Sequence, residues 1–261
     1  MNPQSVLNLF DRQLRREASP DGPGAVVQRI GAVVRQDGGE AGWNGILWCD
    51  LDEAGADAAI AEQVRYFAAL GREFEWKHYS HDRPADLPRR LLAAGFEAGP
   101  AESLLVAEAA ALPGPEALPD GVRLLPVTDE ASARLFGRTH DEAFGTDGSR
   151  YVGMLLAQLA EAPEQVAAVV AMAGDEPICG ARMEFHSGTD FASLWGGGTV
   201  PAWRGRGVYR AVVAHRARLA VERGYRYLQV DALPTSRPIL QRLGFQELGT
   251  TTPYEYTPPT P

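Results

Sequence analysis

Residues Leu194–Gly224 read LWGGGTVPAWRGRGVYRAVVAHRARLAVERG. The opening, to about Val200, has the character of a strand; Pro201 and Trp203 make a turn; Arg204-Gly205-Arg206-Gly207 then starts a helix. Val208, Val212 and Leu219 mark the apolar side of that helix, with Ala211, Ala217 and Ala220 packing close. The first turn of a helix leaves four backbone N–H groups without partners and carries a partial positive charge. Glycines at 205 and 207 let the backbone approach a ligand closely and accept positive φ. The combination predicts a site for a phosphate or diphosphate, with Arg204 and Arg206 adding charge and guanidinium forks. Just upstream, Gly196-Gly197-Gly198 weaken the strand and predict either a plain bulge or a close approach by a ligand.

Standard nucleotide motifs do not fit. A P-loop needs Gly-Lys-Ser/Thr and no Lys occurs here; the dinucleotide fingerprint needs a third Gly where Arg210 stands. What fits is Gln/Arg-x-x-Gly-x-Gly/Ala, as Arg204-Gly205-Arg206-Gly207-Val208-Tyr209. Thr199-Val200-Pro201 closes a strand just ahead of it, another strand follows the helix, and Leu243-Gly244-Phe245 comes after that. In these features the chain resembles the Gcn5-related N-acetyltransferases from about Asp120 onward. One position departs: the sixth is usually Gly or Ala and here is Tyr209, whose phenol must be accommodated.

The resemblance implies acetyl-CoA as co-substrate and no metal. It implies coenzyme contacts at Gly198, Thr199, Val200, Arg204, Gly205, Arg206, Gly207, Val208 and Tyr209, with pantetheine between two splayed strands. Ser236, at the start of the last helix, either contacts the coenzyme or caps that helix. An N–H in the glycine run is placed to polarise the thioester carbonyl and stabilise its oxyanion. The implied reaction is acetyl transfer to a primary amine of a small-molecule acceptor, and a neutral amine needs a base. Glu184, on the strand ICGARMEF beside the motif strand, is the first candidate, a surface salt bridge being its plain alternative; His186 and Asp231 come next. Many family members carry a Tyr general acid before Leu-Gly-Phe, but that position is Leu240 here. This keeps two rivals in view, an acetyl-CoA sensor without turnover and a scaffold with no coenzyme at all.

Outward from the motif, the second half reads as mixed α/β (α+β): strand Val122–Val127, helices Thr128–His140 and Ser149–Ala162, three strands in series, then helix, strand, short helix and a final strand pair near Tyr256. The first half repeats an order of elements. AAIAEQVRYFAALG, FEWKHYS and DLPRRLLAAGF match YRAVVAHRARLAVERG, YLQVDAL and SRPILQRLGF, each set with glycine after its helices (Gly71 and Gly95; Gly224 and Gly244). Two tandem acetyltransferase-like domains are expected: 1–112, a linker at 113–119, and 120–261. In the first, the strand NGILWCDL is followed by Asp52, Glu53, Gly55 and Asp57 where the loop should be. Carboxylates suit a helix start but repel a diphosphate, so this copy reads as degenerate. The apolar residues Val6, Leu7, Leu9, Phe10 and Leu14 read as a short core helix.

Composition limits the partners. Net charge over the 261 residues is −9, which argues against nucleic acid, yet Arg204–Arg242 holds nine arginines against Glu222 and Asp231. A basic island in an acidic chain suits a small anion, although several of these arginines have the plain reading of a solvated helix face. Cys49 and Cys179 lie apart without metal-ligand spacing and read as buried thiols. No apolar run reaches the ~20 residues of a membrane span, and the opening MNPQSVLNLFDRQLRRE lacks the pattern of a secretory signal. A cytoplasmic protein is expected, with no membrane partner; a homodimer is a further partner to test.

Overall fold

The computed structural model describes every residue except Pro23, Ala41, Pro115, Glu116, Thr260 and Pro261, and the side chain of Arg150. The chain divides into two compact units, each a mixed sheet with helices. One comprises Val106–Val230 with Pro238–Gln246; the other holds Asn2–Leu105, Asp231–Arg237 and the chain from Glu247 on.

The N-terminal unit begins with α1 (Pro3–Phe10), started by Pro3 and by the Asn2 side chain, which accepts the Ser5 N–H at 3.0 Å. Val6, Leu7 and Phe10 are buried, the core role the sequence predicts, and α1 runs directly into a π-turn at Asp11–Arg16. Strands β1 (Val26–Ile30), β2 (Val33–Asp37) and β3 (Gly45–Cys49) form an antiparallel series. Helix α2 (Ala56–Ala69) then crosses to β4 (Phe74–Tyr79), which pairs parallel to β3. Helix α3 (Leu87–Ala93) and strands β5 (Glu97–Ala98) and β6 (Glu102–Glu108) follow. Ile60 and Phe67 of α2 and Leu87 and Leu91 of α3 close over Val33, Ile46, Phe74 and Trp76 as one core.

The C-terminal unit starts with β7 (Val122–Pro126), then α4 (Glu130–Phe144) and α5 (Ser149–Glu161). Of the two capping residue types at this helix start, Thr128 and Asp129, it is Asp129 that caps α4, accepting the Ser132 N–H at 2.8 Å, and Gly145 at φ 70° ends it. Strands β8 (Val166–Ala173), β9 (Glu176–Phe185) and β10 (Phe191–Thr199) continue the antiparallel order from β7. Helix α6 (Val208–Glu222) crosses to β11 (Tyr227–Ala232), followed by α7 (Arg237–Leu243) and β12 (Gln246–Tyr256). Two cores flank the sheet: Phe136 and Leu155 pack over Ala168 and Val170 on one face, and Val208 and Val212 over Ala171 and Ala181 on the other.

Two expectations need restating. The final strand pair is a single strand, β12, and it does not stay with residues 120–245. Its residues Thr251–Tyr256 pair antiparallel with Tyr79–Phe74 of β4, and Tyr254 joins the N-terminal core. The unit boundaries therefore differ from 120–261, because a strand goes where its unpaired backbone groups find a free edge. Of the 113–119 stretch, Pro115 and Glu116 lie outside the described residues; Leu112 and Pro113 line a small cleft with Val213, Ala214 and Leu243.

Candidate functional site

Strand β10 sets the geometry of the C-terminal unit. It pairs parallel with β11 only at Phe191–Ser193, opposite Tyr227–Gln229, and beyond that the two strands part. On its other edge the pairing with β9 shifts between Trp195 and Gly198, so Gly196 and Gly197 together face Ala181. Gly196 takes φ 56° at this bulge. A Cβ on Gly197 would lie 3.1 Å from the Tyr209 ring and 3.3 Å from Arg216 Nη2; one on Gly198 would strike Phe144 at 2.7 Å. These glycines are there because helices press on the strand from both faces.

Beyond Val200, a turn of 3₁₀ helix at Pro201–Trp203 leads into the arginine-glycine loop. Gly205 stands at φ 75° and Gly207 at φ 86°, conformations that L side chains resist, and no side chain caps α6. Among the described residues, no acceptor meets the N–H of Gly205, Arg206, Gly207, Val208 or Tyr209. Arg204, Gly205 and Arg206 are exposed. Amides without a protein acceptor in a row at a helix start form a receptor for an anion with several oxygens.

The arginines take different parts. Arg204 Nε donates to Thr199 O at 3.1 Å and Nη2 to Ala143 O at 2.9 Å, which ties the loop to the end of β10 and to α4. Its predicted phosphate contact thus competes with a structural task. Arg206 lies over the Trp203 ring, 4.8 Å from its centroid. Val200 is fully buried, and Thr199 Oγ1 contacts Cys179 Sγ at 3.3 Å, so both side chains serve the core. Both cysteines are buried and free, and burial pushes their thiols up.

No protein-family model and no curated protein matches the sequence. Solved structures do. A Gcn5-related N-acetyltransferase from Kribbella flavida superposes with a TM-score of 0.68 at 19% identity, covering 97% of this chain and 93% of its own. A second, from Sphaerobacter thermophilus, gives 0.61 at 15%, covering 99% and 86%. A tandem protein of the same kind, from the clavulanic acid biosynthesis pathway, gives 0.61 at 11%, covering 93% and 86%. The chain has the Gcn5-related N-acetyltransferase fold, in tandem.

On this fold the sequence-derived base candidates sit less freely than expected. The Glu184 carboxylate is ion-paired with Arg182 at 3.2 Å and accepts from Gln158 Nε2 at 3.2 Å. Asp231 belongs to the N-terminal unit, where it binds Lys77 Nζ at 2.7 Å. Ser236 falls there too, its Oγ donating to Leu233 O at 3.2 Å. His186 is different. Its Nε2 lies 2.7 Å from Ser193 Oγ, which donates to Gln229 Oε1 at 2.8 Å. Burial lowers the His186 pKa, so the ring is neutral at pH 7. Leu240 is fully buried, and a phenol is absent from that position.

Two features escaped the sequence reading. Arg216 is not part of a solvated helix face but is 2% exposed, donating to Arg182 O at 3.1 Å and Val212 O at 3.4 Å and to the Tyr209 hydroxyl. The Tyr209 phenol, the odd residue of the motif, thereby turns inward under Gly197. Burial without a counter-charge costs several kcal/mol, and among the described residues no carboxylate pairs with Arg216. Spacing did contain the signal: 208, 212 and 216 share one helix face. The second feature is Glu102 in the N-terminal unit, raised to about 7 by burial, with Lys77 opposing and Asp231 and Glu75 adding to the rise. Nothing in its sequence surroundings marks it. Among the described residues no group of three metal-ligating side chains occurs, and no helix is long and apolar enough to cross a membrane.

Proposed function

We propose that the C-terminal unit binds acetyl-CoA, its diphosphate on the open amides of Gly205–Tyr209, and transfers the acetyl group to a primary amine of a small-molecule acceptor. The observation that carries this reading is that run of N–H groups without an acceptor, set behind two glycines at positive φ. The parting of β10 from β11 supports it, since an extended amide-bearing pantetheine arm suits the gap between two strands. Gly198, Thr199, Val200, the run Arg204–Tyr209 and Ser236 are the proposed coenzyme contacts. For the proton of the attacking amine, Glu184 is held by Arg182, while neutral His186 donates from Nε2 to Ser193 Oγ, the last residue of β10 paired with β11, which leaves Nδ1 as its accepting nitrogen; both stay candidates for the base.

Titration calorimetry with acetyl-CoA tests the reading. The wild-type chain gives a saturable heat, and Gly207→Val, which forces a β-branched residue to φ 86°, abolishes it. No heat with the wild-type chain ends the proposal. One observation favours a second reading, a coenzyme-binding sensor without turnover: Leu240 occupies the place of the phenol, fully buried. A thiol-release assay over a panel of amines separates the two, since the sensor binds acetyl-CoA and releases no thiol.

A further inference from the structure

The reading above leaves a leaving group without a proton donor. Attack by the amine forms a C–N bond and moves the carbonyl pair onto oxygen. Collapse of that oxyanion breaks the C–S bond and puts its pair on sulfur, while the surplus proton on nitrogen goes to a base or water. With the thioester carbonyl against the glycine run, as the acetyl-CoA reading has it, both stages create negative charge near the β10 bulge, and Leu240 offers no acid for the sulfur.

Behind that bulge stands a cation. Arg216 Nη2 lies 3.3 Å from the place of a Cβ on Gly197, and its other nitrogens are held by Arg182 O and Val212 O. The neighbours that titrate are Tyr209 and Cys179, both pushed up by burial, and His215, pushed down by burial with Arg218 and Arg216 adding to it, so all three are uncharged at pH 7. No carboxylate among the described residues neutralises the guanidinium. Packing alone gives no reason for a charge here, because an apolar chain of the same length fills such a face without desolvation. A fixed charge in a dry site is worth most where charge develops during a reaction.

We infer that Arg216, acting through the backbone at Gly197, is a positioning residue whose charge stabilises the oxyanion and lets coenzyme A depart as an unprotonated thiolate. This rests on the acetyl-CoA reading.

Free coenzyme A is the probe, titrated on the full-length chain by the ultraviolet absorbance of its thiolate. In the wild-type complex the thiol ionises about one pH unit below its value in free solution. Arg216→Met removes that shift with unchanged or higher melting temperature, and Arg216→Lys retains part of it. With acetyl-CoA and an acceptor, Arg216→Met lowers kcat about tenfold while KM for acetyl-CoA stays within about twofold. A wild-type chain that binds no coenzyme A overturns both the function and this inference. Binding with an unshifted thiol, or a shift that survives Arg216→Met or is lost equally in a folded Arg216→Lys, overturns the inference alone.

Discussion

Helices α2 and α6 are counterparts: each follows a strand, crosses over, and delivers the chain to a parallel neighbour that pairs for only a few residues. β3 meets β4 at Gly45–Ile46, and β10 meets β11 at Phe191–Ser193. The helix starts differ. At α2 the Asp52 carboxylate accepts the Gly55 N–H at 2.6 Å, and Asp57 in the first turn pairs with Arg90 at 2.9 Å. At α6 two glycines at positive φ expose a row of N–H groups with arginines around them. The same strand–helix frame thus presents either a filled, acidic end or an open, basic one. What differs is a handful of loop residues, not the scaffold.

The largest effect comes from giving the second copy the stopper of the first. Arg204 stands three residues before Gly207, as Asp52 stands three before Gly55. Arg204→Asp is expected to weaken acetyl-CoA binding about 100-fold, or about 2.7 kcal/mol, through lost attraction and added repulsion at the diphosphate. Arg204→Ala is the control, because it loses the bonds to Thr199 O and Ala143 O without adding a carboxylate. Calorimetry on both variants decides: equal affinities would mean that charge at this position is irrelevant and the comparison is empty.

Buried charge separates the units as well. Among the described residues the C-terminal unit buries Arg216 without a carboxylate, whereas the N-terminal unit gathers Glu75, Glu102 and Asp231 about Lys77. Glu102 ionises at about 7 in the folded chain against an ordinary value of 4.5. A carboxyl raised by folding is no burden below about pH 4.5, where it is protonated in both states. The burden grows as pH rises and is complete above about 7. Glu102→Gln is therefore expected to stabilise the protein by about 2 kcal/mol at pH 8, after allowance for partial exposure, and by nothing at pH 4. Urea midpoints at the two pH values test it, and an equal gain at both would assign the effect to packing.

How far the sequence carried this comparison depends on the range of the interactions. Local chemistry was readable: Asp129 caps α4, Gly205 and Gly207 turn the loop, and Asp52 blocks α2. The Glu184–Arg182 pair is readable too, because residues two apart on a strand share a face. Arg216 follows the 208–212–216 spacing of a buried face, but its charge is the signature of an exposed one. Long-range choices were not readable. Nothing local to β12 says that Thr251–Tyr256 will pair with Tyr79–Phe74, and Glu102 owes its rise first to burial, which only the folded chain imposes, with Asp231 and Glu75 adding to it and Lys77 opposing.

The smallest effect, and the sharpest test of what the first copy lost, is to remove its stopper. Asp52→Ala deletes the bond to the Gly55 N–H at an exposed helix start, where loss of such a side chain costs about 1 kcal/mol. The urea midpoint should fall accordingly. Coenzyme binding should not appear in the N-terminal unit, since Glu53 and Asp57 still crowd the turn and the loop lacks the paired positive-φ glycines of 205 and 207. Calorimetry of Asp52→Ala in the Gly207→Val background isolates this unit. A saturable heat with acetyl-CoA there would show that one carboxylate, rather than the whole loop geometry, separates the two copies.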